Sequence, residues 1–399
     1  MPIHSIASND ILQSSIKMAS DDIIMNGESI SAWNSQNDSV YIGSSISRAD
    51  LIIKINQLST IPSYKRYIKS KDSPLYEASP SYYNNLVNTI GQQTIQPTND
   101  IKYGFILYRT PLKTWPSIDQ AFNSLSSSYD RFLESTLYPF EPIAILHESM
   151  DRKWLFIKMY NYEGWVQKEH VAYTSLEVLK LFESNPNFIV ISEPKTYMQY
   201  SKRELDMGCV FPLVNEKEQY YTVWCPQKLS DNSLYFSFGR IAKQDAHKGY
   251  IPYTQKTVLT QAEKFINEPY GWGGTNGYRD CSSLVMDMYR SMGIKLKRNT
   301  DQQETMYPLH TSLIGMTGLQ KSETLKKLPA GGLIFMDGHV MLYIGFIDGV
   351  HYILHDTPGF YANDGYNDAN KVTVTNVNIK NSQGFEYITL FTSTLYIMK

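Results

Sequence analysis

A change of hydrophobic period near Gly249 constrains this chain more than any other feature. Before it, apolar residues alternate with polar ones in short runs: Tyr103 to Tyr108, Ile143 to His147, Trp154 to Met159 and Gly164 to Val166. A second set comprises Phe188 to Ile191, Val210 to Val214, Tyr220 to Trp224 and Leu234 to Phe238. Short alternating runs between turn residues predict two small all-β barrels in tandem, over 101–175 and 176–248. After Gly249 the spacing becomes helical, with Val258, Ala262, Phe265 and Ile266 on one face until Pro269. A second helix starts near Asp280, carries a stripe of Leu284, Val285, Met288 and Met292, and stops at Gly293. Strands are then expected at 333–336, 339–346, 350–355, 371–377 and 387–395. Helices first and antiparallel strands after predict an α+β domain over 249–399. Residues 1–100, rich in Ser, Asn and Asp and broken by Pro62, Pro74, Pro80 and Pro97, read as a helical or irregular accessory segment.

Composition narrows the partners. Lys plus Arg number 37 against 39 Asp plus Glu, so the formal charge of −2 gives no electrostatic attraction to nucleic acid. No apolar run reaches the ~18 residues a membrane helix needs. The start, Met1 to Ser5, lacks a basic stretch followed by an apolar one. A cytoplasmic chain and a mature chain whose leader was replaced both fit that start. Cys209, Cys225 and Cys281 are too few for a disulfide scaffold and lack metal-ligand spacing.

Cys281 stands where a glycine-rich loop, Tyr270 to Gly277, meets a helix start. Free NH groups and the positive end of a helix favour a thiolate there. A small buried core residue is the competing reading, and a reachable base decides between them. His339 and His355 lie on consecutive strands joined through Phe346-Ile347-Asp348-Gly349. A three-residue loop, Ile347 to Gly349, would pair Met341 with His355 and set the two histidines diagonally on one face. One imidazole could then take the thiol proton while the other orients it. Zinc is the rival for two such histidines, but no further ligand has suitable spacing. His351, next to the turn, reads as surface, as do His310, His4, His147, His170 and His247.

The run Tyr270-Gly271-Trp272-Gly273-Gly274, then Arg279-Asp280-Cys281-Ser282-Ser283-Leu284-Val285, then Gly338-His339-Val340 leading to Tyr343-Ile344-Gly345, resembles the NlpC/P-sixty family of bacterial cell-wall cysteine peptidases. The upstream barrels and N-terminal segment resemble one multi-domain subgroup with a clip and two bacterial Src-homology-three-like barrels. The likeness covers most of 100–399 and is strongest over 249–345; within 1–100 it is loose, as around Ile30 to Asn34.

The resemblance implies a papain-like core that cleaves peptidoglycan stem peptides or muropeptides, at the γ-D-glutamyl-diamino acid bond of peptides with a free N-terminal L-alanine. It implies Cys281 as nucleophile, His339 as base, His355 as the polar third residue, and Tyr270 as oxyanion support beside the Cys281 NH. It implies that Asp280 and Ser282 hold the substrate's free amine, with Glu141 and Tyr162 of the barrels approaching the same group. No metal or cofactor is expected. The chain departs from the family at Ala330-Gly331-Gly332-Leu333, which lacks the usual acid, and at Asp356, where a small residue is usual.

Asp280 has a second reading as a helix cap paired with Arg279 or solvent. Thr300 and Gln303 read as a capping box. Cys209 and Cys225 read as barrel-core residues rather than a disulfide. A silent wall-binding protein, or an amidase or acyltransferase using the same thioester, remain alternatives. A bacterial envelope location is expected, a cytoplasmic recycling role being the other option.

Overall fold

In the computed structural model, which describes residues 8–35, 39–71, 73–306, 310–362 and 365–398, the period change at Gly249 is also a boundary between two units. One takes Asp38–Ile191 and Lys195–Gly249, the other Met1–Asn37, Ser192–Pro194 and Tyr250–Lys399. The N-terminal hundred residues are thus shared between the units.

The first unit holds the alternating runs. A seven-stranded antiparallel sheet centres on Pro142–Glu148, Trp154–Lys158 and Glu163–Gln167, with Thr110–Lys113 and Leu133–Leu137 closing one side. The last two strands carry Pro111 and scattered polar residues, which hides them from a periodicity search. A five-stranded sheet follows, with Val210–Glu216, Tyr220–Lys228 and Leu234–Ala242 adjacent in it. Between the sheets lies the helix Leu176–Glu183, whose Phe182 stacks on Phe236 at 4.2 Å within a shared aromatic core that includes Phe105, Phe140 and Phe211. Cys209 and Cys225 are buried and form no disulfide, and Arg203 donates to the Cys225 sulfur at 2.8 Å.

The second unit begins with α1 (Ser8–Met18) and α2 (Gly27–Asn34), followed after residue 250 by α3 (Gln255–Glu263), α4 (Cys281–Ser291), α5 (Thr300–Glu304) and α6 (Gly318–Leu325). Its antiparallel sheet runs β1 (Thr311–Ser312), β8 (Ser393–Leu395), β2 (Leu333–Met336), β3 (His339–Ile347), β4 (Val350–Thr357) and β7 (Lys371–Asn376). A small hairpin, β5 (Phe360–Ala362) and β6 (Gly365–Asn367), stands between β4 and β7. The long strand expected over 387–395 is instead a helical turn, Tyr387–Leu390, plus the short β8. A nine-residue apolar stretch does not distinguish these, and the Ile388 amide bonds to Val377 O rather than to a ladder.

The hairpin that carries the histidines differs from the sequence expectation in a compensated way. Ile347 pairs with Val350, so the loop is the two residues Asp348 and Gly349, with φ of 51° and 84°. Positive φ at both positions is what a two-residue type I′ turn demands, and Asp-Gly suits it. That loop alone would put His339 and His355 on opposite faces. A bulge at Ile344, between the pairs Tyr343–Ile353 and Gly345–Tyr352, inserts one residue and restores the parity.

Candidate active site

Asp280 organises the start of α4. Its carboxylate accepts from the Ser283 amide at 3.0 Å and from the Gly273 amide at 3.0 Å, closing a capping box and tying down the glycine loop. The loop needs glycine at positions 273 and 274, where φ is 61° and 98°. A Cβ on Gly271 would lie 2.7 Å from Thr275 O, so that residue is also forced. Cys281, the first residue of α4, is buried.

The cation beside Asp280 is supplied by the chain itself. Arg298 Nη2 lies 2.7 Å from Asp280 Oδ2, and Arg298 Nη1 donates to Ser282 Oγ at 2.7 Å. Burial would raise the Asp280 carboxyl, but the guanidinium and the Ser283 groups outweigh it and hold it below the usual range. The pairing with Arg279 considered from sequence is not formed. Arg279, fully buried, engages Glu268 at 3.0 Å and Asp287 at 2.8 Å. The charge of Asp280 is therefore already balanced within the chain, and no electrostatic need for a substrate ammonium beside it remains.

Thr300 and Gln303 are corrected as well. The α5 cap is Asn299 with Gln302, while Thr300 and Gln303 turn inward. Thr300 Oγ1 sits 3.8 Å from Cys281 Sγ, and Gln303 Nε2 donates to Ser282 O at 3.2 Å. Arg298 and Thr300 are the site residues that sequence reasoning missed. Their signal, the run Arg298-Asn299-Thr300-Asp301-Gln302-Gln303, also satisfies a plain helix start, which hides it.

His339 and His355 meet: Nε2 of the first lies 3.1 Å from Nδ1 of the second. His355 Nε2 lies 3.2 Å from Thr375 Oγ1, and its ring meets Tyr387 edge-on at 5.9 Å. Burial drives the His339 pKa down to about 4 and that of His355 well below its ordinary value, so both rings are neutral near pH 7. Burial, followed by the charge of Asp280, pushes the Cys281 thiol up to about 11, with a backbone contact from Val340 and the Thr300 hydroxyl opposing. The preformed thiolate expected from the helix start is thus not the resting state. Among the described residues no hydrogen bond joins the thiol to His339; catalytic bonds of this kind often tighten only with substrate bound.

Asp356 follows His355 on β4. It is fully buried, pairs in the ladder with Val372, and neither carboxyl oxygen has a hydrogen-bond partner among the described residues. Burial, with Asp280 and Glu268 adding to it and Arg279 opposing, pushes its pKa up to about 9. It stands as a neutral acid.

The remaining expected residues are placed as follows. Tyr270 is half-buried, its amide bonded to Asn370 O at 3.0 Å. Glu141 and Tyr162 lie in the barrel unit, where Glu141 is buried and accepts from the Tyr138 amide, and Tyr162 donates to Glu134. His351 is not surface: it is buried between Ser322 Oγ and Tyr343 OH, each 2.9 Å from a ring nitrogen. His147 and His170 are half-buried and bonded to Ile90 O and Thr110, not exposed. His4 lies outside the described residues. No group of three His, Cys, Asp or Glu side chains suited to a metal occurs among the described residues.

A helix-borne cysteine beside an antiparallel sheet that carries paired histidines defines a papain-like α+β peptidase domain. Residues 267–378 match the NlpC/P60 family and residues 120–167 an SH3 domain of SH3b1 type. The chain thus carries an NlpC/P60 domain together with an SH3b1-type domain, and is a hydrolase of the peptidase class. It is 26% identical over 225 residues to a dipeptidyl-peptidase 6 of Lysinibacillus sphaericus, covering 53% of this chain and 76% of that protein. It is 33% identical over 109 residues to a bifunctional muramidase/DL-endopeptidase of Bacillus subtilis, covering 25% of this chain and 29% of that one. In fold it resembles an NlpC/P60 endopeptidase from Photobacterium damselae, with a TM-score of 0.80 at 16% identity, covering 99% of this chain and 97% of the other.

Proposed function

We propose that the protein is a cysteine peptidase acting on peptidoglycan stem peptides at the bacterial cell envelope, cutting the γ-D-glutamyl-diamino acid bond of peptides with a free N-terminal L-alanine. The observation that carries the reading is the His339–His355 pair at 3.1 Å, with His339 followed on β3 by Val340, whose backbone contacts the Cys281 thiol. The names of the two relatives, a dipeptidyl-peptidase and a DL-endopeptidase, support the choice of bond.

In this mechanism His339 removes the thiol proton as Cys281 Sγ attacks the scissile carbonyl, so the ion pair forms during attack rather than before it. The Cys281 NH, at the open end of α4, and Tyr270 support the oxyanion. His339 then returns the proton to the leaving amine, and water, deprotonated by the same imidazole, hydrolyses the thioester. His355 keeps the base oriented.

Incubating L-Ala-γ-D-Glu-L-Lys with the protein and identifying products by mass spectrometry tests the reading. Release of L-Ala-γ-D-Glu, abolished in Cys281→Ala and slowed about 10²- to 10⁴-fold in His339→Ala, is expected. Substantial hydrolysis by the alanine variant of Cys281 would sink it. Recognition of the free amine is read separately, by comparison with the N-acetylated peptide; equal rates would remove the terminal preference and leave Asp280 with its structural roles alone.

A further inference from the structure

We propose that Thr375 is a positioning residue for this reaction: its hydroxyl holds the proton of His355 on Nε2, which keeps Nδ1 of His339 bare and able to act as base. The inference rests on the catalytic roles given above to Cys281 and His339, and it concerns a residue that no sequence motif marks.

Thr375 sits on β7 opposite Ile353, diagonal to His355. It is buried, and its Oγ1 lies 3.2 Å from His355 Nε2, while the other nitrogen of that ring lies 3.1 Å from His339 Nε2. Among the described residues no other polar group bonds His355 Nε2. The ring is held between Tyr387, edge-on at 5.9 Å, and Phe360, tilted at 6.2 Å, so it cannot easily turn to find another partner.

A neutral imidazole has one donor and one acceptor nitrogen, so the three groups can be protonated in two self-consistent ways. In one, Thr375 accepts from His355 Nε2–H. His355 Nδ1 then accepts from His339 Nε2–H, and His339 Nδ1 is left bare. In the other, Thr375 donates, every proton shifts along the chain, and His339 Nδ1 carries a hydrogen that disqualifies it as a base. Only the first arrangement can take the thiol proton. It also suits the state after transfer, because the imidazolium of His339 still needs an acceptor at His355 Nδ1, now in a charge-assisted bond. A hydroxyl at position 375 is what permits the productive arrangement, since without it His355 Nε2–H would be buried with no acceptor.

The competing view is that Thr375 is a β-branched strand residue chosen for packing. Thr375→Val keeps the shape and removes the acceptor; Thr375→Ser keeps the acceptor and removes the methyl. In the full chain with L-Ala-γ-D-Glu-L-Lys as substrate, Thr375→Val is expected to lower kcat about 10- to 100-fold with KM within about twofold, and Thr375→Ser to recover most of the rate. Nitrogen-15 NMR of the histidine side chains should show His355 protonated on Nε2 in the wild type and Thr375→Ser, and a mixture of tautomers in Thr375→Val. An unchanged His355 tautomer and unchanged kcat in Thr375→Val, with His339→Ala still nearly inactive, would overturn the inference while leaving the catalytic reading in place. A highly active His339→Ala would overturn both.

Discussion

At the residue scale, the site is governed by what burial does to ionisable groups. A thiol pushed up to about 11 beside an imidazole pushed down to about 4 is a neutral pair near pH 7. Alkylation of Cys281 by iodoacetamide, followed on its own peptide by mass spectrometry, should then rise about tenfold per pH unit from pH 6 to 9, tracking the thiolate fraction. A flat rate from pH 5 to 8 would show a preformed ion pair instead. Asp356 makes the opposite kind of statement about stability. Its pKa is raised from 3.8 in the unfolded chain to about 9, so the native state binds more protons between those values. Stability from this group is therefore complete below about pH 4 and declines as pH rises toward 9, by roughly 4 kcal/mol at pH 7. Asp356→Asn carries no such titration, so its melting temperature should fall less than that of the wild type between pH 5 and 9. Parallel Tm curves for the two proteins would refute the buried neutral acid. The sequence showed Asp356 as a departure, but the burial that sets its charge state, and the charges of Asp280, Glu268 and Arg279 that act on it, are brought together only by the fold.

Capping and strand register decide the element scale. Asp280 is at once the α4 cap, the anchor of the glycine loop and the partner of the buried Arg298. Asp280→Ala removes all three and strands a guanidinium that is almost fully buried, for which a loss of about 3–5 kcal/mol is expected by urea denaturation. A loss under about 1 kcal/mol, the value of a cap alone, would mean that the ion pair contributes nothing net. The helix start at Cys281, its apolar stripe and the stop at Gly293 were all legible, because capping chemistry and helical spacing are local. The hairpin was legible only in its result: Asp348-Gly349 demanded a two-residue turn, and the bulge at Ile344 that offsets it has no local signature beyond Gly345, at φ 139°. Inward-facing Thr300 and Gln303 were missed because a capping box one residue earlier, Asn299 with Gln302, satisfies the same pattern.

Across the whole molecule, the chain leaves the peptidase unit near residue 37 and re-enters it at 250 apart from 192–194, so its first helices meet their partners over sequence separations of more than 200 residues. Asn34, the last residue of α2, clamps the backbone just before the site: its Nδ2 donates to Gly293 O at 2.8 Å and its Oδ1 accepts from the Lys295 amide at 2.8 Å. Buried Trp33 adds an indole hydrogen bond to Lys295 O at 3.3 Å. Three residues beyond Lys295 stands Arg298, which holds Asp280 and Ser282, and two further on Thr300, which touches the thiol. The N-terminal segment is therefore part of the framework of the site. The sequence resemblance around Ile30 to Asn34 pointed to this region without showing what it holds, since a side-chain clamp on a distant backbone leaves no periodic trace. Asn34→Ala removes both bonds and should cost about 1–2 kcal/mol at the level of single hydrogen-bond contributions. The loss belongs to one place: amide exchange should quicken at Lys295 and in the 293–300 segment, while the barrel amides of 188–191, in the other unit, keep their protection. Hydrolysis of the tripeptide should slow in step, because Arg298 and Thr300 are held from that segment. Unchanged exchange at Lys295 in the Asn34→Ala protein would show that the clamp does not restrain the site, and that residues 8–35 serve the peptidase unit only as a covering layer.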